Sequence, residues 1–279
     1  MKGSICKLMA ALCTAGLFGS CLPAARVLAA DFPQGLLLHL NFDQMDGGAV
    51  VDRSGHGNAR VFRAKWTPYG KQGGGCEFMA TNSWLTVANA GYLNPTQATF
   101  AAWFKTTNAQ ERLILDKGGE GGFTLGIAGG EDAGKLFGAV GGSLCLGDGP
   151  VADGAWHHGV ATCDGESMKL YVDGTLQKQV MPWRGEIPAG TNDLVIGMNR
   201  SGDPAQDVKT SFGGMIDDLM IFNHALSAEE VQAVMDSIKP KFTREQVAQR
   251  LKELNELYDR GLLTKEFYDR KVAECEVSP

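Results

Sequence analysis

Short alternating apolar runs, broken repeatedly by glycine-bearing turns, govern what the segment from Leu36 to Phe222 can fold into. In Leu36-Leu37-Leu38-His39-Leu40-Asn41-Phe42, a period of two puts Leu36, Leu38, Leu40 and Phe42 on one face of a strand. Similar runs follow at Trp84 to Val87, Thr99 to Phe104, Arg112 to Leu115, Phe123 to Ile127 and Lys135 to Val140. More come at His157 to Thr162, Met168 to Val172, Leu194 to Gly197 and Gly214 to Phe222. The turns between them include Gly73-Gly74-Gly75, Lys117-Gly118-Gly119, Asp164-Gly165 and Asp173-Gly174. Asp-Gly is a hairpin cue because glycine accepts the positive φ of a tight turn. The chain has 37 glycines, many of them at these breaks. The pattern predicts an all-β fold, a two-sheet antiparallel jelly-roll sandwich, rather than alternating βαβ units.

Helical patterns appear only at the end. Ser227 can cap a short helix through Met235, with Glu229 and Glu230 in its first turn. Beyond a Lys239-Pro240 linker, Val247, Leu251, Leu254 and Leu257 share a helical face. Gly261 can end that helix, and Thr264 can cap another. The result is a small C-terminal helical hairpin, too short to bury a core alone. Another copy of the chain or the sandwich would stabilise it.

The first thirty residues read as a targeting segment. Lys2 and Lys7 precede an apolar run from Leu8 to Leu22, and Arg26-Val27-Leu28-Ala29-Ala30 ends in small residues. That order predicts a secretory signal over residues 1–30 and a secreted or periplasmic protein. A membrane anchor is the alternative, but about fifteen apolar residues are short for a bilayer. Export brings oxidising conditions. Cys76, Cys145, Cys163 and Cys275 then remain, and four cysteines allow three connectivities. Cys145 and Cys163 both sit in strand-like runs and are the expected disulfide. Residues 31–240 hold 15 basic against 24 acidic side chains. An acidic body disfavours nucleic acid as partner and suits neutral sugars or bound cations.

Several motifs together carry a family resemblance. Leu40-Asn41-Phe42-Asp43 is followed by Val51-Asp52-Arg53-Ser54-Gly55-His56-Gly57-Asn58. Phe100 to Phe104 supplies a central tryptophan strand, and Trp156-His157-His158 leads to Asp164-Gly165 and Leu170-Tyr171-Val172-Asp173-Gly174. Gly214-Met215-Ile216-Asp217-Asp218-Leu219 and Ile221 to Ser227 close the set. In that order they resemble the laminin-G-like branch of the concanavalin A-like lectin/glucanase superfamily, over residues 35–238. The resemblance implies a jelly roll, and one fold carries many functions. It also implies a calcium ion between first and last strands, with Asp43, Asp52 and Asp217 as matching carboxylates. The rival role for Asp52 and Ser54 is a side-chain-capped turn. Leu251 to Leu254 with Leu257 to Thr264 and Glu266-Phe267 resemble the SHOCT module, over residues 242–276. That module implies an assembly role and possible self-association through the helices. Phe18-Gly19-Ser20-Cys21 resembles a lipoprotein cleavage box, which would anchor the chain to a membrane by lipid on Cys21.

A glucanase mechanism needs two carboxylates flanking the bond, about 5 Å apart for retention. The spaced acids that supply them, E-x-D-x-E on one strand, do not occur. Asp217 and Asp218 are adjacent and by strand alternation face opposite ways. His157 and His158 read as strand positions, and no Gly-x-Ser-x-Gly or His-Glu-x-x-His occurs. Sugar binding needs aromatic faces with a few polar groups. Trp103 and Trp156 fall on core-type strands, which leaves Trp66, Trp84 and Trp183 as the ligand-binding set. The expectation is a non-catalytic recognition or adhesion protein for carbohydrate or protein. The alternatives are an assembly protein using its helical tail and, last, a divergent glycoside hydrolase.

Overall fold

The computed structural model describes residues 32–46, 48–118, 122–198, 209–238, 244–273 and 275. The expected signal segment with Cys21 and the Lys239-Pro240 linker lie outside these residues. The first eight strands are β1 (Leu36–Asp46), β2 (Ala49–Asp52), β3 (Ala59–Phe62), β4 (Lys65–Thr67), β5 (Gly75–Phe78), β6 (Trp84–Val87), β7 (Ala98–Lys105) and β8 (Arg112–Asp116). The rest are β9 (Phe123–Ile127), β10 (Lys135–Val140), β11 (Ser143–Pro150), β12 (Trp156–Cys163), β13 (Ser167–Val172), β14 (Thr175–Pro182), β15 (Leu194–Ile196) and β16 (Gly214–Phe222). They join in one hydrogen-bonded path, β11-β10-β9-β8-β15-β6-β3-β2-β1-β16-β7-β12-β13-β14, with β5 on β16 and β4 on β5.

The two halves of that path face each other as layers. Phe100 of β7 stacks on Phe123 of β9 with centroids 5.1 Å apart. A Cβ on Gly138 of β10 would sit 2.8 Å from the Cβ of Ala161 on β12, so glycine lets the layers approach there. The core between them includes Leu40, Leu85, Phe104, Phe123, Leu170 and Ile196. Each such side chain contributes roughly 1.5–3 kcal/mol by leaving water.

Local chemistry sets the joints. Asp173 and Gly174 have φ of 50° and 76°, the double positive φ of a type I′ hairpin turn between β13 and β14. The path ends at β11 and β14, and glutamine side chains stitch these ends together. The Leu146 amide donates to Gln179 Oε1 at 2.7 Å, and the Asp148 amide to Gln177 Oε1 at 2.9 Å. Both strand edges are thereby occupied rather than left open for pairing.

Strand β1 departs from strict alternation. Leu38, Leu40 and Phe42 enter the core as the period predicts. A register shift between Leu36 and Leu38 sends Leu36 to a second cluster instead. That cluster forms under helix α1 (Ala228–Ser237). Ser227 Oγ accepts from the Glu230 amide and the Glu230 carboxylate accepts from the Ser227 amide, a reciprocal cap. Val231, Val234 and Met235 of α1 bury against Trp103, Val160, Tyr171 and Phe222. The outer face of the β16-β7-β12-β13 layer is therefore covered.

The tail is a hairpin of α2 (Arg244–Asp259) and α3 (Lys265–Ala273). Gly261 turns it with φ of 68°, and Thr264 Oγ1 accepts from the Phe267 amide at 3.2 Å. Tyr258 and Tyr268 stack at 4.6 Å across the hairpin. Phe267 meets Tyr69 of the sandwich edge-on at 5.9 Å, so the hairpin docks on its own sandwich. No described helix is long and apolar enough to cross a membrane.

Candidate functional site

The motif from Asp52 to Asn58 folds into a knot around one carboxylate. Asp52 accepts from the backbone amides of His39, Ser54, His56 and Gly57 at 2.9 to 3.0 Å, and from Ser54 Oγ. Asn58 Oδ1 takes the amide of Asp52 itself at 3.1 Å. A Cβ on Gly57 would lie 2.7 Å from the Tyr92 hydroxyl, which stacks its ring on His56. The four amides and a hydroxyl occupy the lone pairs that a metal would need. Asp52 therefore performs the capped-turn role.

Asp43 and Asp217 each accept from the turn between Gly70 and Gly74. The Gly74 amide donates to Asp43 Oδ1 at 3.3 Å and the Gln72 amide to Asp217 Oδ2 at 3.1 Å. A Cβ on Gly70 would sit 2.6 Å from Asp217 Oδ2, and one on Gly73 would collide with Asp43. Among the described residues no three His, Cys, Asp or Glu side chains converge as a metal-binding group. The carboxylate oxygens of Asp43 and Asp217 are hard donors of the kind a calcium ion takes.

Strand β16 corrects the expectation for its two acids. The register shifts between Asp217 and Met220, and Asp218 takes a left-handed φ of 42°. Alternation is thus interrupted where it was used to separate them. Both carboxyls are buried, and the Asp218 amide donates to Asp217 Oδ1 at 2.9 Å. Burial and the charge of Asp218 hold Asp217 well above the usual carboxylate range. Burial and Asp43 do the same to Asp218, which lies 2.9 Å from His39 Nε2. Burial lowers the His39 pKa to about 4, against the pull of Asp52. Phe42, on the facing strand β1, is also left-handed with φ of 49°. Strained backbone on two strands thus concentrates beside the buried acids.

The three tryptophans have different fates. Trp183 packs over Gly141 and against the core, and its Nε1 donates to Gly185 O at 3.1 Å, so it is a lid. Trp66 is 43% exposed and anchors its indole N–H on Phe42 O at 2.9 Å. Trp84 stacks face to face on Phe62, centroids 4.9 Å apart and planes 12° off parallel. Sequence reasoning missed Phe62, which is 36% exposed. Phe62 lies directly opposite Trp84, and Arg60 opposite Thr86. Leu85 and Val87 of β6 and Ala59 of β3 point into the core, so this block of four looks outward. Arg63, with φ of 58°, bridges to Trp84 beside it. The buried Thr86 Oγ1 has no hydrogen-bond partner.

The histidines and cysteines hold structure. His157 lies 2.8 Å from Asp173 and 3.1 Å from Asp153, pinning the β12–β13 hairpin. Burial works to lower its pKa, but the two carboxylates outweigh that and raise it. His158 is buried beside Trp103, its ring 5.1 Å away, and burial lowers its pKa to about 4. The expected Cys145–Cys163 disulfide is not formed. All four cysteines are free, β11 and β12 are not neighbours, and the Cys145 thiol donates to Gln179 O at 3.1 Å.

This architecture defines a two-layer antiparallel sandwich of the jelly-roll kind. The laminin-G type profile, described as the concanavalin A-like lectin/glucanases superfamily, matches residues 79–232, and the chain belongs to that superfamily. No curated protein matches the chain. Among solved structures it is similar to domain 4 of a GH43 extracellular arabinanase from Geobacillus stearothermophilus, in complex with arabinotriose. That likeness has a TM-score of 0.57 at 17% identity, over 72% of this chain and 98% of that one. The binding domain of Paraclostridial Mosquitocidal Protein 1 follows with TM-score 0.58 at 15% identity, over 74% of this chain and 53% of that one. A botulinum neurotoxin type C structure, described as depending on two ganglioside molecules for cell entry, has TM-score 0.56 at 15% identity, over 74% and 52%. The chain thus spans about half of the toxin chains it matches. At these identities the likeness shows the fold.

Proposed function

We propose that this is an exported, non-catalytic recognition protein that binds glycans on the outer face of β3 and β6. The observation that carries the reading is exposed Phe62, stacked on Trp84. Its ring offers an apolar surface that a sugar ring's C–H groups can cover, with exposed Arg60 two residues away for hydroxyls. Helix α1 covers the outer face of the other layer, whereas Phe62 and Arg60 are exposed on this one. The structural neighbours support it, an arabinanase domain in complex with arabinotriose and a toxin binding domain. The signal-like order of residues 1–30 supports export, with lipid on Cys21 as the anchored variant.

The test is a glycan array with the full-length protein in calcium and in EDTA. Binding to a defined set of glycans is expected, and a blank array in both buffers sinks the reading. Calcium belongs to the proposal only through Asp43 and Asp217 beside the 70–74 turn, whose carboxylate oxygens it would take as ligands. Calcium should then raise the melting temperature over EDTA by several degrees, and an unchanged melt removes it.

A further inference from the structure

We propose that the β3–β6 face selects sugars carrying a carboxylate, an inference that rests on the glycan-binding reading and names its ligand class. The block is ordered in rows. Phe62 faces Trp84, and two register steps along the same strands Arg60 faces Thr86. Residues two apart on a strand are separated by roughly 6–7 Å. That is about the reach from the centre of a pyranose ring, laid on the aromatic row, to an exocyclic carboxylate one row away. Arg60 stands at that place and is exposed. Its guanidinium presents paired donors that match a carboxylate with two parallel hydrogen bonds. Arg63 adds a second exposed cation beside Trp84, held there by the isolated bridge between their backbones.

Farther along the row of Arg60 come Val195 on β15 and Asp116 on β8. Burial raises the pKa of Asp116, and its carboxyl is turned to the Thr124 hydroxyl at 2.7 Å. Arg60 and Arg63 thus place two exposed cations at the aromatic pair although the body is acidic. An acidic sugar is repelled by most of this surface and attracted at one place, which is how charge confers selectivity.

The probes are sialyllactose against lactose, and an oligogalacturonate against its neutral oligogalactose counterpart, titrated into the full-length protein. Each acidic member should bind at least tenfold tighter than its neutral partner, and more weakly as salt rises. Arg60→Gln should remove the acidic preference, Arg60→Lys should keep part of it, and Phe62→Ala should weaken both members at least tenfold. Both tested side chains are exposed, so melting temperatures should stay near wild type. If Phe62→Ala fails to fold, the two Arg60 variants decide alone. Equal affinity for acidic and neutral members, or an indifferent Arg60→Gln, overturns the inference and leaves glycan binding standing. No binding to any sugar overturns both.

Discussion

The Asp52 carboxylate satisfies four backbone amides that have no other described acceptor in its loop, so its removal strands buried donors rather than one contact. Asp52→Ala should cost about 3 kcal/mol or more in urea denaturation, and a loss under about 1 kcal/mol would contradict the knot. The Asp-x-Ser-Gly spacing made that turn visible in the sequence, because the residue types and the offsets are those of a local motif. His158 yields a pH prediction. It is neutral in the fold, lowered to about 4 by burial and by Lys71 against the pull of Asp173. The unfolded chain takes up a proton near 6.5, so the folded state binds fewer protons between about pH 4 and 6.5 and loses stability as pH falls through that window. From pH 7 to 5 this one group should cost about 2 kcal/mol. The carboxyls of Asp217 and Asp218 work the other way, because raised acids lose stability as pH rises. His158→Phe should therefore flatten the acid side of the stability profile. An unchanged slope between pH 7 and 5 would show that His158 is not buried neutral. The acids themselves were misread from sequence because a bulge leaves no compositional mark, and Asp218 takes a φ that alternation does not anticipate.

Core strands were legible wherever one face met the interior, as in Thr99 to Phe104 and Met168 to Val172. Strand β11 was legible only around Cys145 and β14 not at all, since their ends of the path are stitched by polar side chains. That stitching is testable. Gln179→Ala removes the acceptor of the Leu146 amide and should lower stability by about 1–2 kcal/mol, and a loss within about 0.3 kcal/mol would make the stitch ornamental. Strand β3 was missed because Ala59 to Phe62 is short and its partner β6 comes only after the β4–β5 excursion. The Phe62–Trp84 pair is a product of register, which no local pattern reveals. The helical hairpin was readable from Gly261 and Thr264, whereas its docking partner was left open between sandwich and second copy. The contact of Phe267 with Tyr69 favours the sandwich. Phe267→Ala should release α2 and α3, raising their trypsin cleavage severalfold without moving the main melt. Equal cleavage would mean that the contact does not hold the tail.

At the scale of the whole molecule, two outer faces with different fates explain the recognition reading. One layer is closed by α1 through an apolar cluster of its own. The other keeps Phe62, stacked on Trp84, and Arg60 at its surface. Family membership was visible in the ordered motifs, and it fixes the two layers without saying which outer face is open. That depends on where one ten-residue helix lies. The central claim is binding without turnover. Native mass spectrometry of the full-length protein with the best glycan from the array addresses it in one spectrum. The account predicts a complex whose added mass equals the intact glycan and does not change on overnight incubation. A shortened glycan, in the complex or free in solution, would contradict it.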